Sequence, residues 1–419
     1  MSMRLLGLLA APLLLACPVP GVTGTDYWTY SYRNVDVTAA GTGAYAVNLA
    51  RYCARLDSML TRILSIKATE RPPTHIYALP SAQMRLYAGP DYTSAYRSSR
   101  YDITVLMDSG TVPDGRPYWG AFFGYTATLL SSERLLGGPD WYMVGVPSVF
   151  ADTVFQGAKA KLGNVTPAFA YTLTSGGPLI PMRTFLALSQ HEAELKGKAY
   201  RDMFNAEAWY LAREVFVEGK RRAEFGRYLD LMRAGTNEAA AFAASFEIGY
   251  EQLDKELALA MRDRAHVYVM DAPDEEPGAH ESAQPLSAAE VKARLALLSV
   301  RYGEGPDAVQ LATQALQSEP QNETALRALA RAQLAHGNYA AALAATDKLT
   351  GQGSSAAADA DSGAVLAALA SAVSRDGIIL PVEAATLRER ARAAYERAGG
   401  AAGEERRARE GLAQLGHAP

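Results

Sequence analysis

Apolar positions in the first quarter of the chain switch between two periods. In NLARYCARLDSMLTRIL, Leu49, Cys53, Leu56, Leu60 and Ile63 recur at helical spacing and predict a helix with one buried stripe. DYWTYSYRNVDVT alternates polar with aromatic or branched residues and predicts a strand. THIYAL and YDITVLM predict two more strands. Pro80-Ser81 predicts the start of a short helix carrying Met84, Leu86 and Tyr87. Residues 26–110 therefore read as a small α/β layer. From residue 118 the period is helical, with helices expected over 118–135, 141–155, 200–217, 220–233, 237–246 and 250–264.

The periodicity lapses over DAPDEEPGAHESAQP, which is rich in proline, acid and small residues and reads as a linker, placed at 269–286. A repeat follows it. Ala308, Ala312, Ala315 and Pro320 match the second helix and closing proline of a tetratricopeptide repeat. Gly303 and Gly337 stand 34 residues apart, as do Ala308 and Ala342. Repeats are expected to begin at Ala289 and Glu323, with a looser hairpin over 362–397 broken at Asp376-Gly377. The expected fold is α+β and mostly helical: a domain over 26–268, the linker, and a repeat array over 287–419.

Composition narrows the function classes. The chain has 419 residues, 49% hydrophobic and 21% charged, which is ordinary globular composition. A net charge of −4 gives no global field toward nucleic acid. Two cysteines, Cys17 and Cys53, exclude a disulfide framework. MSMRLLGLLAAPLLLAC carries one arginine and then an apolar run too short to span a bilayer, which takes about 20 residues. Residues 1–16 fit a secretory signal peptide. Leu14-Leu15-Ala16-Cys17 resembles a bacterial lipobox, so Cys17 is a candidate lipidation site and membrane anchor. Both readings put the mature protein in the periplasm or cell envelope. Cys53 lies on the apolar stripe and reads as a buried structural thiol.

The stretch FFGYTATLLSSERLLGGPDWYMVGVPSVFADTV is laid out as two helices around a Gly-Gly-Pro break. Zinc peptidase chemistry on such a hairpin needs two histidines one turn apart on one helix face. A glutamate beside them serves as general base, and a third ligand comes from the second helix. The stretch resembles the gluzincin-like, peptidase MA-type domains of exported bacterial proteins, which often carry tetratricopeptide repeats behind them. The framework matches are Tyr125, Leu129-Leu130, Pro139, Trp141, Tyr142, Gly145, Gly157, Lys159, Leu162 and Gly163. The likeness runs over 26–268. It places the two histidine positions at Phe123 and Ala127, the general base at Gly124 and the third ligand at Val144. None of these four side chains can bind zinc or move a proton. The resemblance therefore implies an inherited fold without catalysis, needing no metal and no cofactor.

His191-Glu192-Ala193-Glu194-Leu195 begins like a zinc motif, but Leu195 replaces the second histidine. No nucleophile elbow, P-loop or dinucleotide fingerprint is present. The expected role is a non-catalytic scaffold that binds a protein or peptide partner and no nucleic acid. The alternative is a hydrolase with a relocated site drawn from Glu133, Asp140, Asp152 or His191. Two binding surfaces are candidates. One is the old cleft around Tyr125, Trp141 and Tyr142. The other is the concave face of the repeats. Counting along their first helices puts Arg301, Arg327 and Arg331 there, as exposed residues able to hold a carboxylate-bearing tail. A purely structural envelope role is the third reading.

Overall fold

The computed structural model describes residues 26–64, 73–90, 92, 94–98, 102–110, 118–132, 138–175, 177–261, 267–272, 282–303, 305–350, 354–401 and 404–416. The expected leader, Cys17 and Glu133 lie outside them. The stretch expected to be one strand is a hairpin, β1 (Tyr27–Tyr32) and β2 (Val35–Ala40), paired from Tyr27↔Ala40 to Tyr32↔Val35. Arg33 closes it at φ 54, a left-handed conformation that the alternation of apolar residues does not reveal. Thr42 then caps α1 (Gly43–Ile63), accepting from the Tyr45 N–H. Next come β3 (Thr74–Leu79), α2 (Ser81–Ala88), β4 (Ser94–Ser98) and β5 (Ile103–Asp108). The exposed β4 has no apolar signal to announce it.

Two helices follow, α3 (Trp119–Ser132) and α4 (Asp140–Ala151), and then the hairpin β6 (Val154–Gln156) and β7 (Lys159–Leu162). Three short helices that the periodicity does not predict come next: α5 (Pro167–Ser175), α6 (Met182–Ala187) and α7 (Gln190–Leu195). The long α8 (Lys198–Ala212) continues into a π-helical turn, Arg213–Val217. It is followed by α9 (Arg222–Arg233), α10 (Glu238–Ser245) and α11 (Tyr250–Ala260). Seven helices form the second half: α12 (Ala288–Tyr302), α13 (Ala308–Ser318), α14 (Glu323–Ala335), α15 (Tyr339–Leu349), α16 (Ala356–Asp376), α17 (Ala384–Ala398) and α18 (Glu405–Gly416). Gly303 at φ 74 and Gly337 at φ 73 make the turns inside the first two helix pairs, where a left-handed residue ends the first helix. The fold is α+β and mostly helical.

The stretch expected to be a free linker is tied down at both ends. Tyr268–Asp271 forms β8, antiparallel to β7, and Gln284–Pro285 forms β9, antiparallel to β1. Residues 273–281 lie outside the described set. The main sheet then runs β4-β5-β3-β2-β1-β9, with β2, β3 and β5 parallel. Its strands carry apolar residues on both faces. Val37, Ile76 and Val105 join the core built with α1, α3, α4 and α8. Tyr77, Leu79 and Leu106 join Val291, Leu295 and Leu298 of α12 in a second core. The helices beyond the linker therefore cover the second face of the sheet, and that core does not stop at the expected boundary. Helix α16 is long and apolar enough by composition to cross a bilayer, but 61% of it is buried in the protein, against α17 and α18.

Candidate functional site

Among the described residues, the α3–α4 hairpin is packed closed at its expected centre. Helix α3 lies directly on β4 and β5. A Cβ on Gly124 would stand 2.7 Å from Val105 Cγ1, so the position expected for a general base has no room for a side chain. Phe123 stacks on Trp119 at 5.2 Å and meets Tyr96 at 6.0 Å. Ala127 is buried, and Val144 packs against the same core. Helix α4 crosses α8 so closely that a Cβ on Gly145 would stand 2.1 Å from the Ala208 carbonyl oxygen. Tyr125, Trp141 and Tyr142, expected to line a cleft, are buried at 1%, 0% and 2% exposure. They are core residues, because the α3–α4 hairpin closes on α8 and the sheet rather than standing away from them.

Of the remaining catalytic candidates, His191 is exposed at the start of α7 and Asp140 is engaged in holding the fold. Ser189 and Glu192 form a reciprocal capping box at the start of α7. The Ser189 N–H donates to Glu192 at 2.9 Å. These backbone and side-chain hydrogen bonds from Ser189 hold the Glu192 carboxyl below its ordinary range. The apparent start of a zinc motif is thus a helix cap. Asp140 accepts from the Gln190 N–H at 2.7 Å, and Asp152 is buried at the end of α4. Among the described residues no three His, Cys, Asp or Glu side chains are grouped to hold a metal ion. Burial pushes the Cys53 thiol up, away from reactivity.

The open site lies on the other face of the sheet. A cavity of about 1000 Å³ separates the sheet from the inner side of the helical array. Its floor is Asp36 of β2, His75 and Tyr77 of β3, Thr104 of β5 and Arg97 of β4. Its walls carry Arg294 and Arg301 from α12, Arg327 and Arg331 from α14, and Arg407 from α18. The three arginines singled out in the sequence do line one space. They are not exposed on an open groove, because the sheet roofs the concave side. The side chains of Arg301, Arg327 and Arg331 are 8%, 12% and 29% exposed.

The charges in this chamber do not balance. Seven arginines line it, Arg375 included, against Asp36, Asp102 and Glu404. Asp361 lies buried beside them, so among the described residues arginines exceed carboxylates by three. Asp361 is the hub. Arg327 Nε donates to it at 2.7 Å, Arg331 approaches at 3.5 Å, and Arg407 donates as well. Burial alone would raise the Asp361 carboxyl, but Arg327, Arg407 and Arg331 together hold it well below the usual range. Burial pulls Arg331 down despite Asp361, with Arg301 and Arg407 adding repulsion. Arg294 is well served, donating to Asp36 at 3.1 Å, Thr38 at 2.8 Å and Glu290 at 2.9 Å. Arg301 is not. Its Nε lies 3.3 Å from Asp102, but its Nε and Nη1 are buried without a hydrogen-bond acceptor. Burial and Arg301 together lower the His75 pKa, against the pull of Asp36 3.6 Å away.

Sequence reasoning reached the arginines but missed Asp361, Arg407 and the floor. One signal was available. Arg327 and Asp361 are 34 residues apart, as are Glu290 and Thr324, which also hydrogen bond. Residues one period apart on successive first helices are neighbours in an array of stacked pairs. The floor residues carried no comparable signal. No protein-family model matches the chain, and no curated protein matches it.

Proposed function

We propose that this protein is a non-catalytic binding protein of the cell envelope. In this reading the peptidase-like domain is a scaffold, and the chamber between its sheet and the repeat-like helices holds a carboxylate-bearing segment of a protein partner. The observation that carries it is the excess of guanidinium groups in a space large enough for a ligand. Guanidinium pairs bidentately with carboxylate, and in a partly dried site such pairs gain strength. The packing of Gly124 against Val105 supports the non-catalytic part, since a general base there would have to displace the sheet. The lipobox at Cys17 supports export and anchoring.

The test is direct titration of the purified mature protein with a fluorescent, end-capped hexaglutamate. Binding should weaken about tenfold in Arg301→Gln with Arg331→Gln, and should fall with added salt. Equal binding by wild type and the double variant would refute the chamber as the site. Elemental analysis finding one zinc per chain would refute the non-catalytic reading. Cys17→Ser should move the protein from the membrane fraction to the soluble periplasmic one. An unchanged distribution would leave a plain signal peptide.

A further inference from the structure

The chamber has two chemistries, and they come from different helices. On the side of α12 and α14 stand Arg301, Arg327 and Arg331. On the side of α16 the lining is Ala364, Ala367, Ala368 and Ser371 along the middle of the helix, with Arg375 at its C-terminal end. The first four positions follow helical spacing and are each half-open to the space. A ligand lying between α14 and the middle of α16 meets guanidinium groups on one side and mainly methyl groups on the other.

The cationic side has donors to spare. Arg327 engages Asp361 through Nε, and Arg331 reaches it only at 3.5 Å. Arg301 Nη1 is buried with no hydrogen-bond acceptor, and its Nε has only the Asp102 carboxylate at 3.3 Å, outside hydrogen-bond geometry. A buried donor without an acceptor costs about 1–3 kcal/mol, so the site is built for an acceptor that a ligand brings. Spacing sharpens the requirement. Arg327 and Arg331 are one helical turn apart, a rise of about 6 Å. Alternate side chains of an extended peptide recur every ~6.7 Å on one face, and the residues between them point to the other face.

We propose that the chamber recognises an extended peptide segment in which acidic residues alternate with small or branched apolar residues. The acidic face lies on Arg327, Arg331 and Arg301. The apolar face lies on the alanine side of α16. This rests on the reading of the chamber as the partner-binding site and specifies what the partner presents. The carboxylates are those of side chains within the segment, so a free chain end is not needed.

The probes are two fluorescent hexapeptides of one composition, both acetylated and amidated at their ends. One alternates Asp and Val, and the other has three Asp followed by three Val. The alternating peptide should bind the full-length mature protein about tenfold tighter than the blocked one. Arg301→Gln with Arg331→Gln should weaken both. Ala368→Asp, on the apolar side, should abolish the advantage of the alternating peptide. The unchanged far-ultraviolet circular dichroism and melting temperature of each variant would show that it is folded, and Ala368→Ser is the milder substitute where the aspartate variant fails to fold. Equal affinities for the two peptides would overturn the alternation while leaving the arginine chamber intact as a binding site. An advantage that survives Ala368→Asp would overturn it in the same way. Failure of both peptides to bind in an arginine-dependent way would overturn the chamber reading together with this inference.

Discussion

The two faces of the main sheet are finished in opposite ways. On one face α3 and α4 lie so close that two glycines decide the packing, Gly124 against Val105 and Gly145 against the Ala208 carbonyl. Large aromatics fill what space is left, among them Trp141, Tyr125 and Phe122. On the other face α12 packs tightly over Leu79 and Leu106, and then the helical array stands away and leaves a cationic chamber. The face that looks like an enzyme in sequence is solid. The face with no enzyme signature is the one that carries the large, arginine-lined chamber. Glycines and aromatics at helix crossings are needed by the fold itself, so an enzyme-like layout of such residues is also what close packing requires.

The sharpest way to break this contrast is to add volume on the solid face. Gly145→Val should cost about 4 kcal/mol or more in chemical denaturation, since the obstacle is backbone and the helices must separate. A loss under about 1 kcal/mol would mean that the hairpin has the slack of a cleft.

On the chamber face the largest effect should come from Asp361→Ala. It leaves Arg327, Arg331 and Arg407 without the buried carboxylate they share, with an expected loss of about 3–5 kcal/mol. The carboxyl is depressed in the folded state. Its stabilisation is therefore complete above the unfolded-state pKa, about 4, and is lost as the pH falls below that toward the folded value. The wild type should lose stability in acid more steeply than the variant.

A third measurement separates the faces by the opposite pH response. Glu207 of α8 is buried, accepts from the Ile180 N–H at 2.7 Å through one oxygen, and has no partner for the other. Burial pushes its carboxyl up to about 8. The unfolded chain ionises near 4.5 while the fold keeps the proton, so this group should drain stability as pH rises from about 4.5 to 8. Glu207→Gln should remove that slope and raise the melting temperature at pH 8. An unaltered profile would show that Glu207 is ionised in the fold.

The smallest effect should follow Arg331→Met. Its one ionic contact is long, and removing a charge from a side with excess arginine should leave stability within about 1 kcal/mol of wild type. A large loss would show the arginines to be struts of the array rather than ligand-binding groups.

Much of the element order is legible in the sequence. The stripe through Leu49, Cys53 and Leu60 is the buried face of α1, and the glycines 34 residues apart turn successive helix pairs. The failures have physical causes. The β1–β2 hairpin reads as one strand because alternation continues through its turn, and only the positive φ of Arg33 divides it. Helices α5 to α7 are short, and α5 buries no residue fully, so no apolar period marks them. Tyr125, Trp141 and Tyr142 suggest a cleft because residue type alone does not distinguish an aromatic that lines a pocket from one that fills it.

The sequence by itself determined the local periods and hence most helices and strands, and it showed which chemistry the hairpin lacks. Those properties depend on residues within a few turns of each other. Tertiary structure alone decided that the hairpin is solid and that the array closes over the sheet. It also decided which arginines outside the 34-residue period share a carboxylate. Arg294 meets Asp36 across 258 residues of chain, and Arg407 meets Asp361 across 46. Contacts at such separations follow from how whole layers pack, and no local pattern encodes the space left between them.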